Sequence, residues 1–508
     1  MTRPYRFRSL FYRQWLNSVG IPLIGSTLLL ALYPNTVTLI FLGVTVAAFL
    51  AVAYFGRGED VRERSVALML AAAGIGVAVL CFTSATRSVD AARAYLGKET
   101  EAVGYVTRRE DGSADLSLVM MNGRFSLKKL RVNTEDALPY GARLRIAFLP
   151  TDAAQKEALQ DGVFLSGDLV RWKAEGKSLV LSAIGSLRNT FERDLGEGRE
   201  GTFLKAILLG NGSGLAREDE TAFRKTAASH LLAISGLHIT VLVSIAYCMM
   251  NFFLMPELWK KAVLFPLVVF LYLITGGAVS VFRASFMTLF GASAFFLKRL
   301  PDSVTSLVFA ASLILLQNPF AVTDLSFLFT FVSTFAIVTL ASPLCAAVAE
   351  SIEPYFYETG KRRLYSVFSY ILSGALISTA VFLFSFPLNL LVFGEVQILS
   401  PLYSAVLIPL FAPCLLMGVL LLILLLLPFG IPLAGEVVEL LIRLFLDLIR
   451  LLSAAAPAAV SFGEYNVPVA LFVIALLGVF MCFRCKMRSF LLLYVALTAA
   501  MLPMIFFS

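Results

Sequence analysis

Both histidines of the chain, His230 and His238, lie in one short apolar segment that also contains Ser229, Ser235 and Gly236. Ser235 and His238 are three residues apart, so on a helix they could form the nucleophile–base dyad of a hydrolase. No oxyanion-hole sequence or orienting acid stands out beside them, which makes the dyad the weaker hypothesis. The Ser-Gly pair could instead loosen a membrane helix that lines a cavity. A third interpretation keeps both histidines structural, one at the membrane interface and one donating to a neighbouring helix.

Arg283 lies in the middle of a second apolar stretch, residues 279–297. A charge there costs about 2.5–3.5 kcal/mol on insertion scales, so it needs a carboxylate, water or an anionic ligand. Asp324, Glu395 and Glu436 are candidate partners. Two interpretations stay open. Arg283 either faces a water-filled path and binds the phosphates of a polyanion, or it is a buried clamp with Asp324.

The elements that must position these groups are membrane helices. Hydrophobic residues make up 58% of the 508-residue chain, charged residues only 15%, and the mean hydropathy is +0.83. This composition predicts a polytopic α-helical membrane protein. At about 20 residues per span, the apolar stretches predict about 11–13 crossings. The stretches are residues 21–55, 65–84, 230–255, 262–275, 279–297, 303–317, 325–349, 364–393, 399–427, 467–483 and 490–507.

The net charge of +8 follows mainly from membrane topology. The first apolar stretch, residues 21–55, is long enough for two spans. Basic residues precede the first of these spans and follow the second, so both basic segments are predicted to be cytoplasmic. They are Arg3, Arg6, Arg8 and Arg13, and then Arg57, Arg62 and Arg64. The N-terminus is therefore predicted to be cytoplasmic and residues 86–185 extracytoplasmic.

Residues 86–185 change to a mixed polar composition with short alternating apolar runs and Gly-containing turns. This pattern predicts a small antiparallel barrel of five strands, with a short helix near residues 153–159. One cluster could bind single-stranded DNA through basic and aromatic groups. A solvated strand edge is the stronger interpretation, because acidic and basic residues nearly balance in this insert. The cluster is Arg124, Phe125, Lys128, Lys129 and Arg131.

Two helical segments flank the predicted core. Residues 186–229 are predicted to form amphipathic helices that lie on the membrane surface or pack on the core. Residues 431–456 carry charges on one helical stripe, so this helix either lies flat or lines a polar path. The charges are Glu436, Glu439, Arg443, Asp447 and Arg450.

Prolines interrupt the apolar stretches between residues 364 and 427. They predict re-entrant helices, including a hairpin within residues 399–427. They are Pro387, Pro401, Pro409 and Pro413. The chain thus divides into N-terminal transmembrane helices (1–85), the barrel insert (86–185), amphipathic helices (186–229) and a transmembrane core (230–508).

Four sequence strings resemble the ComEC family of bacterial DNA-uptake channels: KAILLG, HLLAISGLH, SVFRASFM and NPFAVTDLSFLFTF. The last departs from the family's Gly-Phe-Gln-Leu-Ser-Phe run at Ser326, Leu328, Phe329 and Thr330. The resemblance implies a functional motif within these strings. Its residues are His230, Ser235, Gly236, His238, Arg283, Ala284, Met287, Asp324 and Phe327.

The resemblance also implies an OB-fold for the barrel and a channel, not an enzyme, that moves single-stranded transforming DNA across the bacterial cytoplasmic membrane. The chain ends at Ser508 and has two histidines, so we expect no metallo-β-lactamase-like nuclease domain. No metal or cofactor is expected. Expected partners are single-stranded DNA, membrane lipids, a DNA receptor, a separate nuclease and a cytoplasmic DNA-translocating ATPase. A transporter of a small or lipidic solute is the alternative, because such proteins share broken helices.

Overall fold

A computed structural model describes most of the chain as two compact units. The barrel unit contains Arg8–Asp194 and Pro256–Leu328, and the motif unit contains Met1–Phe7, Leu195–Met255 and Phe329–Ser508. The described residues are 15–32, 38–39, 42, 45–47, 59–110, 112–122, 124–125, 129–134, 136, 138–152, 159–160, 163–212, 214–232, 234, 236–275, 281, 284–286, 289, 303–358, 362–425, 432–457, 459–470, 472–473 and 477.

Helices dominate both units. Three short 3-10 turns, Ser229–Leu231, Pro319–Thr323 and Gly463–Tyr465, interrupt them, and a π-helical turn, Ile337–Ala341, joins α9 to α10. The α-helices are α1 (Trp15–Leu32), α2 (Glu59–Arg93), α3 (Leu179–Asp194), α4 (Arg199–Leu209), α5 (Arg217–Lys225), α6 (Gly236–Phe252), α7 (Glu257–Ile274), α8 (Ser303–Gln317), α9 (Leu325–Ala336), α10 (Ser342–Glu358), α11 (Arg362–Phe393), α12 (Ser400–Leu425) and α13 (Pro432–Ala454).

The barrel is a closed ring of five strands in the order β1–β2–β4–β6–β5–β1, with the two-residue strand β3 paired to β2. β4 and β6 pair in parallel, so the prediction of an antiparallel barrel is wrong for this pair of strands. Val106, Leu116, Leu130 and Ile146 fill the interior and are fully buried. The strands are β1 (Thr100–Glu110), β2 (Ser113–Met121), β3 (Arg124–Phe125), β4 (Lys129–Asn133), β5 (Ala142–Asp152) and β6 (Val163–Lys177).

The turns of the barrel lie where the Gly-containing pairs predict them. Gly112, Asn122 and Gly141 have φ angles of +79°, +46° and +73°, a region that glycine and asparagine adopt most readily. The strands begin at Thr100 because α2 continues past residue 85 as far as Arg93. Most of the predicted helix near residues 153–159 lies outside the described residues.

Four helices in the described part are long and apolar enough to cross a membrane: Met69–Arg93, Leu325–Pro354, Phe368–Phe393 and Ser400–Leu425. These helices fit the multi-pass membrane protein that the composition predicts. Shorter apolar helices are Val19–Ala31, His238–Phe252 and Ser303–Gln317. The larger number of crossings stays a prediction, since the last apolar stretch, residues 490–507, is outside the described residues.

The prolines do not break the helices as predicted. α11 continues through Pro387, and α12 continues through Pro409 and Pro413 over 26 residues. The prediction of a hairpin within residues 399–427 is therefore wrong. In a membrane helix, neighbouring helices and local adjustments can satisfy the carbonyls that a proline leaves without a donor, so proline is a weak signal of a break there.

The centre of the motif unit is a chain of aromatic contacts through five helices. His238 of α6 meets Phe411 of α12 edge to face, with ring centroids 5.2 Å apart. Phe411 contacts Phe445 of α13 at 6.0 Å, which contacts Phe203 of α4 at 5.9 Å, and Phe203 stacks on Phe223 of α5 at 5.9 Å. All five side chains are buried. Aromatic pairs of this kind contribute about 0.5–1.5 kcal/mol each beyond area burial, so they fix the packing of these helices.

Helix α4 is part of this core. Eight of its 11 residues are buried, among them Phe203, Leu204 and Ile207. Gly418 of α12 lies so close that an added Cβ would be 2.7 Å from Leu204 Cδ2. Of the two placements that the sequence allows for the helices in residues 186–229, α4 thus takes the one packed on the core.

Candidate functional site

The turn before the histidine motif has strained backbone. Helix α5 ends in a Schellman motif, in which the Ala228 N–H donates to Phe223 O at 2.8 Å and the Ala227 N–H to Arg224 O at 3.0 Å. The motif places Ala227 at φ +52°, a left-handed conformation that glycine usually takes. Such strain persists only where the surroundings enforce it, and it concentrates at functional sites. The backbone is therefore fixed immediately before Ser229.

The histidine motif divides into a 3-10 turn and a helix. His230 lies in the turn Ser229–Leu231 with an exposed side chain, and its Nδ1 is 3.1 Å from Ala227 O. Helix α6 begins at Gly236. Leu232 and Ile234 lie in no helix, so a short irregular segment separates the 3-10 turn from α6. Ser235 itself lies outside the described residues, so the Ser235–His238 dyad stays a prediction.

The two histidines have opposite environments. His238, in the first turn of α6, is buried to 1% exposure against Phe411, whereas His230 is exposed. A buried imidazole in an aromatic contact suits a packing role, and an exposed one suits contact with a ligand. The two histidines therefore have different surroundings, and their roles stay predictions.

The other predicted motif residues fall into two groups. Arg283 and Met287 lie outside the described residues, so their roles stay predictions. Ala284 and Phe327 are buried. Asp324 caps α9, because its Oδ1 accepts a hydrogen bond from the Ser326 N–H at 3.0 Å. Among the described residues, no three His, Cys, Asp or Glu side chains are grouped so that they could hold a metal ion.

Asn318, which precedes this cap, joins the turn Pro319–Thr323 to the barrel. Its Nδ2 donates to Leu159 O and Gln160 O, both at 2.8 Å, and its Oδ1 accepts from the Phe320 N–H at 3.2 Å. Gln160 Nε2 donates in return to Thr323 O at 3.0 Å. The Asn-Pro pair thus attaches the segment between β5 and β6 to the helical part of the barrel unit. Sequence reasoning noted the pair but not this partner.

A charge network that sequence reasoning missed joins three helices of the motif unit. Asp219 of α5 has a side chain only 2% exposed. Arg199 of α4 donates from Nε and Nη2 to the two Asp219 oxygens, both at 2.9 Å, and Arg450 of α13 donates from Nε at 2.6 Å. A buried carboxylate is tolerated when charged donors satisfy it in this way. We call Arg199, Asp219 and Arg450 the α5 clamp.

Further ion pairs extend the α5 clamp along α13. Arg199 also bonds to Asp447 at 2.7 Å, Arg450 lies 3.3 Å from Glu218, and Arg443 bonds to Glu200 at 2.9 Å. Three of the five charges on the predicted stripe of α13, Arg443, Asp447 and Arg450, therefore contact α4 and α5. This packing is neither of the two placements that the sequence analysis gives for the stripe, a helix lying flat or one lining a polar path.

Hydrogen bonding keeps these acids charged. Burial raises the pKa of Asp219, but the hydrogen bonds from Arg199 and Arg450 outweigh burial and hold that pKa below its ordinary 3.8. The hydrogen bond from Arg443 lowers the pKa of Glu200 below its ordinary 4.5. A carboxyl whose folded pKa is depressed stabilises the fold fully above its unfolded pKa and loses this contribution as the pH falls through the folded pKa. The network is thus charged at neutral pH.

The residues of the predicted DNA-binding cluster of the barrel differ in their surroundings. Arg131 makes a bidentate ion pair with Asp115, with distances of 2.7 and 2.9 Å, and both side chains are largely buried. Arg131 lies on the outer face of the barrel, because Leu130 and Val132 on either side of it fill the interior, and its guanidinium is engaged by Asp115. Its role as a DNA contact stays a prediction. Lys129 is exposed. Arg124 and Phe125 form β3, but their side chains, like Lys128, lie outside the described residues.

The fold defines a helical membrane protein with an inserted small barrel. The chain matches the competence protein family over residues 207–488, more than half of its 508 residues. It therefore belongs to this family, which is the ComEC family that the four strings resemble.

The chain is also similar to ComE operon protein 3 of Bacillus subtilis (strain 168). The two are 27% identical over 217 residues, which are 42% of this chain and 25% of that protein. The matched region therefore spans a quarter of that relative's length. No solved structure matches the chain.

Proposed function

We propose that the chain forms a channel that passes single-stranded transforming DNA inward across the cytoplasmic membrane. The observation that carries this proposal is the competence-family match over residues 207–488. The matched region includes α6, α11–α13 and the irregular segment before α6. Irregular backbone at membrane depth is tolerated only where it is buried in protein or lines a water-filled cavity. In the wall of a channel, the irregular segment before α6 would line such a water-filled cavity. In this proposal the chain acts as a channel and performs no catalysis.

The barrel supports the same proposal through its shape. A five-stranded barrel is the architecture of OB-folds, which bind oligonucleotides. We infer that the barrel is of the OB type. Because Arg131 is paired with Asp115, any DNA contact on this side of the barrel falls to Lys129 and its neighbours in the candidate cluster.

The topology completes the proposal. The N-terminus lies in the cytoplasm and the barrel outside, as the distribution of basic residues predicts. Single-stranded DNA would reach the outer face from a DNA receptor. A separate nuclease would supply the single strand, and a cytoplasmic ATPase would draw it inward. Lipids surround the four apolar helices.

The proposal is tested by deleting the gene in its host and measuring transformation frequency. We expect the frequency to fall to the background of spontaneous mutation, and an unaltered copy supplied in trans to restore it. Transformation at the parental frequency in the deletion strain would contradict the proposed function.

A further inference from the structure

Helix α5 separates its charges along its length. Its first turn carries Glu218, Asp219 and Glu220, and its last turn carries Arg224 and Lys225. The α5 clamp neutralises the acidic end, because Asp219 is buried between two arginines and Glu218 pairs with one of them. Arg224 and Lys225 are exposed, and neither forms an ion pair within the described part of the chain. Glu220 lies four residues before Arg224 on the same face of the helix, but the two form no ion pair. The end of the helix thus presents two positive charges that no described residue pairs.

These charges lie beside the exposed part of the histidine motif. Only the turn at residues 226–228 separates Lys225 from Ser229, and Ser229 and His230 are both exposed. The Schellman motif fixes this turn. Gln397 holds the end of the helix, since its Nε2 donates to Lys225 O at 2.9 Å and to Pro457 O at 3.0 Å. Hydrogen bonds therefore fix the backbone that carries the four polar side chains.

Two cations, a hydroxyl and an imidazole can all donate hydrogen bonds to the oxygens of a phosphodiester backbone. Arginine and lysine supply most of the sequence-independent affinity for nucleic acid, and hydroxyl and ring N–H groups add donors. Cations in the last turn of a helix also stabilise its dipole by about 0.3–1 kcal/mol, so their presence has a structural explanation as well. The two explanations predict different results for DNA binding. Only a phosphate contact makes the salt dependence of DNA binding change when the two cations are removed.

We propose that Arg224, Lys225, Ser229 and His230 form a basic edge that binds the phosphates of single-stranded DNA where the strand meets the histidine motif. This inference rests on the proposed function and assigns it a binding surface. The edge reads no base sequence, because phosphate contacts carry none. From this edge the strand would pass to α6, which begins at Gly236.

The test measures how salt weakens binding of a fluorescent oligothymidylate to the full chain in nanodiscs of uncharged lipid. For single strands, the slope of log affinity against log salt is about −0.7 per phosphate contact. We expect Arg224→Gln/Lys225→Gln to make this slope shallower by about 1.4 and to lower affinity at 0.1 M salt by roughly 20-fold. Glutamine removes the charge and keeps the helix propensity of the side chains.

Arg93→Gln/Arg193→Gln is the matched control. Arg93 and Arg193 also lie in the last turns of helices, but they pair with Asp90 at 3.1 Å and Asp194 at 2.9 Å. We expect the control to bind as the unaltered chain does. Equal slopes for the unaltered chain and Arg224→Gln/Lys225→Gln would overturn the basic edge, as would an equal loss in the control. Either result would leave the proposed function standing if the deletion strain still fails to transform.

Discussion

Asp219→Ala is expected to destabilise the chain by about 3 kcal/mol, because it leaves Arg199 and Arg450 facing each other without the carboxylate that they share. Removing one partner of a buried ion pair costs about 3–5 kcal/mol, and the lower value applies because the two arginines stay 25% and 36% exposed. The measurement is the unfolding of the purified chain in detergent against denaturant, together with its level in the membrane.

Asp90→Ala is the control for Asp219→Ala. Asp90 pairs with Arg93 at 3.1 Å, but the two side chains are 68% and 64% exposed, so its loss should cost less than about 1 kcal/mol. The triple variant Arg199→Met/Asp219→Leu/Arg450→Met should recover most of the stability, since replacing a whole buried charge cluster by apolar residues is often neutral. Equal effects of Asp219→Ala and Asp90→Ala would mean that the α5 clamp does not hold the three helices.

Arg283→Leu is expected to abolish DNA uptake, whichever role the arginine has. If Arg283 lines the path of a polyanion, Arg283→Leu should leave the protein at normal levels, since leucine suits the membrane better by about 3 kcal/mol. Arg283→Lys should then keep partial uptake. If Arg283 is a clamp, Arg283→Leu leaves a carboxylate without its counter-charge, and the protein level should fall. The measurements are transformation frequency and membrane protein level.

Asp324→Asn distinguishes the two roles of Arg283. Asparagine keeps the cap on the Ser326 N–H that Asp324 provides, because it caps helices as well as aspartate does. The double variant Arg283→Leu/Asp324→Asn therefore removes the charge without removing the cap. Recovery of the protein level in the double variant indicates a clamp with Asp324. Full uptake by Arg283→Leu alone would contradict both roles.

The features that the sequence predicts well depend on local pattern. Hydropathy predicts the membrane class because an apolar run must be long to cross a bilayer. Alternation and turn residues predict the barrel, because Gly112, Asn122 and Gly141 adopt φ angles that few other residues tolerate.

The features that the sequence misses depend on distant partners. Asp219 appears in the sequence as one acid among the charges of a short polar helix. Its partners Arg199 and Arg450 lie 20 and 231 residues away, so no periodicity connects them. The stripe on α13 was visible, but only the packing of α13 on α4 and α5 shows what it contacts. Pro409 and Pro413 mislead for the same reason, since neighbouring helices decide whether a membrane helix breaks at proline.

The central claim is that DNA crosses the membrane through this chain, and the most direct measurement is nuclease protection of labelled DNA on intact cells. With the gene deleted, the account predicts that cells bind labelled DNA at the parental level and that all of it stays sensitive to added nuclease. An unaltered copy should restore a protected, single-stranded fraction. A protected fraction of parental size in the deletion strain would contradict the account, because the DNA would then have entered by another route.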